Sequence, residues 1–520
     1  MVKIDVFGTG FALQAAIWVA CGMAFILFGY DQGVFSGIVE NDNYLETMGH
    51  PNDSLTGIIV SIYNLGCFSG CILNFLLGDW LGRRRAMWFA MTWVIIGATL
   101  QCSAYSVPHM MVGRFVCGIG TGIETSTVPM YQAELCEASK RGKLVCSEPL
   151  LVGVGIVISY FFDYGMSFVG GQIAWRLPIA CQMIWAFIVI VLVFGLPESP
   201  RFCYQHGRND EALQILSDVY GKPKDDPQIQ SEQTEILDAI AVETENGGFQ
   251  WRNILKRDEV STGYRVLLAY GMQFMNQVGG INLVVYFIPT VLNTNVGLSK
   301  NLSQIIGGCV QIMFVLGSLF PTIFVDRVGR RQPMMWGSFG LGICMMMVAI
   351  LLSFKGHANE HATSSAAVAF FFVYMLIFGA SVNCIPWCYV PEILPLHART
   401  KGTAIGVSSN WIWNFFVVMI TPVIINRLQW KAYLIFMCTN FAFVPLIYFF
   451  YPETAKMTLE EIDYLFTNPK KGPVKLSKEI AKERRKHGRV NIMGRDRGEA
   501  KMGTAEDCKS GTGEEHIEKV

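Results

Sequence analysis

Residues 78–85 read GDWLGRRR, and residues 325–332 read VDRVGRRQ. The same order of acid, glycine and arginine returns about 250 residues later, the mark of an internal duplication. Two further pairs recur in the same order and at about the same spacing: AELCEASKRGK (133–143) with PEILPLHARTKG (391–402), and PESPR (197–201) with PETAK (452–456). Whatever the first half of the chain builds, the second half builds again.

Composition says what that unit is made of. Of 520 residues, 52% are hydrophobic and 16% charged, well below the roughly 25% charged residues of a soluble domain. Long apolar runs recur, each near the roughly 20 residues that cross a bilayer. They predict twelve spans, at about 12–36, 55–78, 86–105, 109–132, 144–163, 175–196, 265–291, 303–325, 333–353, 367–390, 402–426 and 431–451. The expected fold class is an all-α membrane protein with two pseudo-symmetric six-helix bundles, at 1–196 and 263–453. A cytoplasmic helical linker (197–262) joins them, and a largely disordered tail (454–520) follows. The first apolar run, from near Phe11, is long enough to be a span and does not read as a cleaved signal. The 15 cysteines fall mostly inside apolar runs, as buried thiols do.

Lysine and arginine orient the chain. GRRR (82–85), KRGK (140–143), DRVGRR (326–331) and HARTK (397–401) all fall on one side, whereas loops such as ENDNYLETMGHPND carry almost no positive charge. The positive-inside rule places those loops, the linker and both termini in the cytoplasm. Asn52 and Asn301 begin Asn-x-Ser sequons and then face outside. The plasma membrane is the expected location.

These motifs carry a resemblance. GYDQG (29–33), GDWLGRRR, GRFVCGIGTG (113–122), RGK (141–143), PESPR, NQVGGIN (276–282), DRVGRR, PWCYVPEILP (386–395), NWIWNFF (410–416) and PETA (452–455) together resemble the sugar-porter branch of the major facilitator superfamily. The likeness runs from about Phe11 to Phe466. Finer details look closest to fungal glycerol– and hexose–proton symporters. The resemblance implies alternating access, with two bundles rocking around a central site.

Ionisable groups inside a membrane cost several kcal/mol unless paired or wet, so each is a functional candidate. Asp31 and Arg114 each lie about five residues from the outer end of their spans, at similar depth, and are placed to pair. An arginine beside an aspartate lowers its proton affinity, and separation restores it. In proton-coupled sugar porters the matching pair is assigned that coupling role. A static ion pair is the competing reading.

A sugar site needs neutral hydrogen-bonding side chains and aromatic faces rather than fixed charge. Span 7 supplies Asn276, Gln277, Asn282 and Tyr286. Gly279 and Gly280 between them would permit a break that turns both asparagines inward. Gln311, Trp387, Asn410 and Trp411 match family substrate-contacting positions, several with a changed residue type, and Phe28 matches an aromatic lining position. Single amides of this kind also serve as interhelical hydrogen bonds. At the cytoplasmic face, the resemblance assigns an inner gate network to Arg83, Arg84, Arg85, Glu134, Arg141, Glu198 and Arg201. In the second half it assigns Asp326, Arg330, Glu392, Arg399 and Glu453. Topology determination alone also accounts for these charges.

Span 5 departs from the pattern. Relatives carry a sugar-binding Gln where Pro149 stands, and a second where Ile156 stands. Glu148, five residues after Lys143, lies about 7–8 Å along the helix, in the inner half of the span. Glu124 of span 4 reaches a similar depth. Three readings of Glu148 stay open: a member of the inner charge network, a contact for a substrate hydroxyl, or a second proton site with Glu124.

GIGTG (118–122) lacks the strand and the trailing acid of a dinucleotide site, and reads as close helix packing. HANEH (357–361) reads as a polar outside loop. KERRKHGR (482–489) suits either anionic lipid or solvent. The expectation is a monomeric importer of a sugar or polyol by proton symport, not an enzyme. Its partners are the solute, protons and the bilayer, with no cofactor and no nucleic acid. Uncoupled facilitation, a non-transporting nutrient sensor and a carrier of a sugar-like metabolite remain alternatives.

Overall fold

The computed structural model describes residues 7–136, 141–245, 258, 260–357, 359–395, 398–455, 457, 459–467 and 471–487. Part of the predicted linker (246–257) and the end of the tail (488–520) lie outside the described residues, as do the side chains of Arg141 and Asp326.

Each predicted span is helical. Spans 1 to 6 are Phe11–Ile38, Asp53–Leu81, Arg83–Cys102, Val107–Leu135, Arg141–Met166 and Ile173–Phe194. Span 7 is Thr262–Val278 with Ile281–Thr294, span 8 is Lys300–Val328 and span 9 is Arg331–Ser353. Span 10 is Glu360–Ala380 with Ile385–Ile393, span 11 is Arg399–Leu428 and span 12 is Lys431–Phe450. Among the described residues, ten spans are apolar enough to be recognised by composition alone. Spans 3 and 4 are diluted by three opening arginines, and by Arg114, Glu124 and Glu134.

Two spans are broken. Span 7 stops at Val278, and Gly280 takes φ +100°, a left-handed conformation that glycine adopts without strain. The freed carbonyls are satisfied from neighbouring spans. Tyr374 Oη and Asn440 Nδ2 donate to Gly279 O at 3.1 and 2.7 Å, and Thr439 Oγ1 donates to Val278 O at 3.2 Å. Broken backbone persists at membrane depth only where protein supplies such partners. Span 10, expected to be continuous, also breaks, at 381–384. There Asn383 Nδ2 donates to Ser318 Oγ at 3.2 Å, and Pro386 opens the second half.

Small residues set how closely the helices lie. Gly29, Gly33 and Gly37 form an every-fourth stripe on span 1 against span 5. A Cβ at Gly29 would fall 1.9 Å from Val152 O, and one at Gly33 2.0 Å from Ser159 Oγ. GIGTG plays the packing part read for it: a Cβ at Gly118 would fall 2.2 Å from Tyr63 O, and one at Gly120 2.5 Å from Ala90 O. Without a hydrophobic drive between helices in lipid, such backbone proximity provides the dispersion contacts.

The bundles meet along spans 2 and 11, spans 5 and 8, and spans 1 and 7. At the end away from the basic loops three polar contacts cross the interface: Thr290 Oγ1 to Glu40 Oε1 at 2.6 Å, Lys300 to Asp42 at 2.6 Å, and Tyr160 Oη to Val285 O at 2.6 Å. That end is closed.

The linker carries helices Pro200–Gln205, Asn209–Tyr220 and Pro227–Glu245. The second buries Ala212, Ile215, Leu216 and Val219, one helical face, and is tied to span 1 through Gln14 Nε2 to Val219 O at 2.9 Å. The tail, read as largely disordered, holds helices Leu459–Thr467 and Pro473–His487, because Leu465, Leu476 and Ile480 cluster.

Candidate transport site

Span 7 turns its amides inward at the break, as the paired glycines predict. Asn276 Nδ2 donates to Val382 O in the span 10 break at 2.8 Å. Gln277 Nε2 donates to Asn276 Oδ1 at 2.8 Å, and Asn282 Nδ2 to Gln277 Oε1 at 2.6 Å. Asn410 Nδ2 joins from span 11, donating to Gln273 Oε1 at 2.8 Å. The result is one buried amide relay that crosses both helix breaks.

Around it sit the aromatic groups. Phe28 and Trp411 meet edge to face across the bundle interface, with centroids 5.4 Å apart. Gln311 Nε2 donates to Val284 O at 3.3 Å, and Trp387 is half-buried on the second half of span 10. Several buried polar atoms here have no close hydrogen-bond partner among the described residues: the donors Trp411 Nε1, Gln273 Nε2 and Tyr286 Oη, and the acceptors Gln311 Oε1 and Asn64 Oδ1. Buried polar groups are normally satisfied, so such a set at one interface marks a place built to meet polar groups. Gln273, Asn64 and Asn414 escaped the sequence reading. Gln273 lies three residues before Asn276, and Asn414 four after Asn410, on the same helix faces. Asn64 Nδ2 donates to Asn414 Oδ1 across the bundles at 3.0 Å.

Asp31 and Arg114 are both buried, yet among the described residues they form no direct ion pair. Asp31 Oδ2 accepts from Tyr63 Oη at 3.4 Å, Thr121 Oγ1 at 3.4 Å and Cys117 Sγ at 3.7 Å. The Arg114 guanidinium lies over the Phe35 ring at 3.9 Å and the Tyr63 ring at 4.7 Å, and donates to Val60 O at 2.9 Å. Two aromatic faces and a carbonyl hold the cation, and Tyr63 touches both groups. The expected pair is therefore mediated rather than direct.

Glu124 and Glu148 are not brought together either. Spans 4 and 5 are neighbours in sequence, but span 5 packs on spans 1 and 8, where Gly153 abuts Phe314. The titratable neighbour of Glu124 is Asp31, whereas Glu148 lies near the Cys388 thiol of span 10 and the Cys21 thiol of span 1. Glu148 is buried, and among the described residues, which leave out the Arg141 side chain, its Oε1 has no partner. Pro149 lies inside a continuous helix, and Ile156 packs on Gly33. Asp163, near the far end of span 5, was missed; it is buried against Gly37 with neither oxygen partnered.

The basic face repeats itself. Arg83 grips Glu134 with two nitrogens at 3.0 and 3.1 Å, and Glu198 Oε1 accepts from the Arg83 amide at 3.0 Å and from the Arg84 amide at 3.3 Å. In the second half Arg330 grips Glu392 at 2.8 and 3.2 Å, and Glu453 accepts from the Arg330 and Arg331 amides at 2.9 and 3.1 Å. In each half a carboxylate caps the start of span 3 or span 9, where helix N–H groups lack partners. Burial pushes the Glu198 carboxyl up from its ordinary value, opposed by the Ser199, Arg84 and Arg83 amides and the Arg83 charge. All these pairs knit helices within one bundle. Arg84 lies over the Trp88 ring at 4.8 Å and Arg85 is exposed. Arg201 and Arg399 sit at the starts of helix Pro200–Gln205 and span 11.

Two six-span bundles around a buried polar interface, each carrying the same arginine–glutamate knot, are the architecture of a major facilitator superfamily transporter. A family model for the sugar (and other) transporter family matches residues 16–466. The MFS-type transporter oryC of Aspergillus oryzae is 41% identical over 468 residues, covering 89% of this chain and 87% of that one. The sugar transporter STL1 of Saccharomyces cerevisiae is 31% identical over 471 residues, covering 88% and 82%. Among solved structures, the proton:xylose symporter XylE bound to 6-bromo-6-deoxy-D-glucose superposes with a TM-score of 0.74 at 24% identity, over 88% of this chain and 99% of that one. The chain belongs to the sugar transporter family, within the sugar-porter branch of that superfamily.

Proposed function

We propose that this transporter imports a neutral polyhydroxylated solute, a sugar or polyol, by proton symport, with the basic face in the cytoplasm of a plasma-membrane protein. The carrying observation is the set of donors and acceptors beside the amide relay that lack a close hydrogen-bond partner among the described residues: Trp411 Nε1, Gln273 Nε2, Tyr286 Oη, Gln311 Oε1 and Asn64 Oδ1. Hydroxyls both donate and accept, so a polyol matches such a mixed set, and the Phe28–Trp411 pair offers faces for C–H surface. Glu148 faces span 10 from the other bundle and accepts a solute hydroxyl where relatives use an amide. Asp31 is the proton site. Tyr63 couples it to Arg114, so that rocking of the bundles alters what the carboxyl feels. The contacts of Glu40, Asp42 and Tyr160 with span 7 and Lys300 are the outer gate, and the arginine–glutamate knots are locks that keep each bundle rigid at the inner face. The similarity to STL1, a sugar transporter, and the shared fold with XylE, a proton:xylose symporter, support this reading.

The test is labelled uptake in a transporter-null yeast, across hexoses, pentoses, glycerol and quinate, with and without a protonophore. Accumulation of a neutral solute that collapses with the protonophore and in Asp31→Asn is expected. Accumulation indifferent to both would leave facilitation, and no uptake of any solute by a surface-expressed chain would leave a sensor.

A further inference from the structure

Span 4 turns a single stripe into the interior of the first bundle. Arg114, Cys117, Thr121 and Glu124 are spaced by three, four and three residues, within about 80° of the helix circumference at 3.6 residues per turn. Cys117 and Thr121 both donate to Asp31 Oδ2. Glu124 is the next member, about 4.5 Å further along the axis toward the basic face. It is 1% exposed, and among the described residues no donor reaches either of its oxygens; Asp31 Oδ1 is likewise without a donor there. An ionised carboxylate in such surroundings lacks the hydrogen bonds it needs, whereas the neutral acid is tolerated.

Among the described residues no cation pairs with it. Arg114 is ten residues, about 15 Å, up the same helix, and it is held by Phe35, Tyr63 and Val60. Span 3 brings Arg83, which is bound to Glu134. Span 1 brings Asp31 and the Cys21 thiol, span 2 brings the Tyr63 hydroxyl and the Cys67 and Cys71 thiols, and span 5 brings Glu148, which lies near Cys21 and Cys388. Helix Pro200–Gln205 adds Arg201 and the Cys203 thiol only at the basic face. Glu124 and Asp31 are thus two carboxyls sharing one low-dielectric compartment, and such pairs resist double ionisation, so their titrations are linked.

We propose that Glu124 is a second proton-binding site, which takes the proton from Asp31 and passes it toward the basic face. In the step, the Asp31 carboxylic acid loses one proton to become a carboxylate, and the Glu124 carboxylate gains it to become the acid. The Thr121 hydroxyl, which already bonds Asp31, lies between them and can accept one proton while donating another. The pathway runs inside the first bundle, apart from the solute site at the interface. The proposal rests on the symport reading of Asp31.

The test uses the full-length chain with a fluorescent tag in transporter-null yeast, at matched surface abundance, with labelled D-glucose, D-xylose and glycerol as probes. Solute accumulation across a range of external pH is compared with solute exchange at equal pH, which needs no net proton release. Glu124→Gln is expected to lower accumulation about tenfold or more while leaving exchange within about twofold, the size expected for losing a positioned proton carrier. Glu124→Asp is expected to recover accumulation with a displaced pH profile. Wild-type accumulation and pH profile in Glu124→Gln, with Asp31→Asn inactive in accumulation, would overturn the proposal alone. Equal loss of exchange and accumulation in Glu124→Gln, unrelieved by Glu124→Asp, would assign Glu124 to packing and also overturn it. Should Glu124→Gln not reach the surface, Thr121→Val and Glu124→Asp decide: unchanged pH profiles in both overturn the proposal, displaced profiles support it. Normal accumulation in Asp31→Asn would instead remove the symport reading beneath it.

Discussion

Gly279 and Gly280 are adjacent, yet replacing them by alanine should have unequal consequences. Gly279 has φ −65°, compatible with any residue, and a Cβ there would lie 3.1 Å from Asn440 Oδ1, the movable end of a side chain. Gly280 has φ +100°, and its Cβ would lie 2.8 Å from both Cδ1 and Cγ of the buried Phe436 ring. Left-handed strain costs on the order of 1–3 kcal/mol, and overpacking a filled site about 1–3 kcal/mol more. A combined cost of about 3 kcal/mol or more disfavours the broken arrangement by roughly a hundredfold. Relief comes from straightening span 7, which would turn Asn276 and Asn282 apart and cut the amide relay. Gly280→Ala should therefore lower both the melting temperature of the purified transporter and its uptake, and Gly279→Ala should cost about 1 kcal/mol or less. Melting is read by fluorescence-detected chromatography after heating, uptake with labelled solute at matched surface abundance. Gly280→Ala with wild-type melting and uptake, or equal damage from both variants, would refute the reasoning.

Three other perturbations discriminate. Tyr63→Phe removes the 3.4 Å hydrogen bond to Asp31 and keeps the ring beneath Arg114. It should displace the pH profile of uptake by an effect of about 0.5–1.5 kcal/mol and leave half-saturation by solute unchanged, which initial rates at several pH values will check. Glu148→Gln should weaken uptake or change preference across a solute panel without lowering surface expression; unchanged uptake of every solute would remove Glu148 from the site. Arg265→Met should cost about 3–5 kcal/mol, as breaking a buried charge cluster does, and deplete the protein from the membrane, because Arg265 Nε donates to Ile393 O at 2.5 Å and Nη2 pairs with Asp463 at 2.6 Å. Asp463→Asn keeps an oxygen to accept from Arg265 but removes the counter-charge of a buried cation, and should cost about 1–3 kcal/mol, less than Arg265→Met. Equal tagged fluorescence at the surface for both would contradict this account.

The duplicated motifs made the architecture legible because helix ends at a membrane surface need charge, and charge is sparse elsewhere in this chain. The span 7 break was legible because it is written in glycine. The span 10 break was not: its marks are Asn383 and Pro386, its Val382 carbonyl accepts from Asn276, and its Asn383 amide donates to Ser318, both far away in sequence. Depth along a helix could be counted, so Asp31 and Arg114 were placed at the same level. Rotation about the helix could not, and Tyr63 stands between them. Likewise spans 4 and 5 are consecutive yet touch only slightly, span 5 packing chiefly on spans 1 and 8, which separates Glu124 from Glu148. Gln273 and Asn414 were within reach of a helix-face reading anchored on Asn276 and Asn410. The tail helices depend on three apolar residues in a polar stretch, too few to stand out from composition.

The glycine seams have a consequence for how this molecule can diversify. Along Gly29, Gly33 and Gly37, and along Gly118, Gly120 and Gly122, an added methyl would meet atoms of a neighbouring helix, mostly its backbone. A saturation map should therefore show lines of near-zero tolerance that run beside the transport route without touching the solute. Asn276, Asn410 and Glu148 lie off those lines, on faces bounded by side chains that can rearrange. Descendants of this chain can exchange one cargo for another while the helix spacing stays frozen.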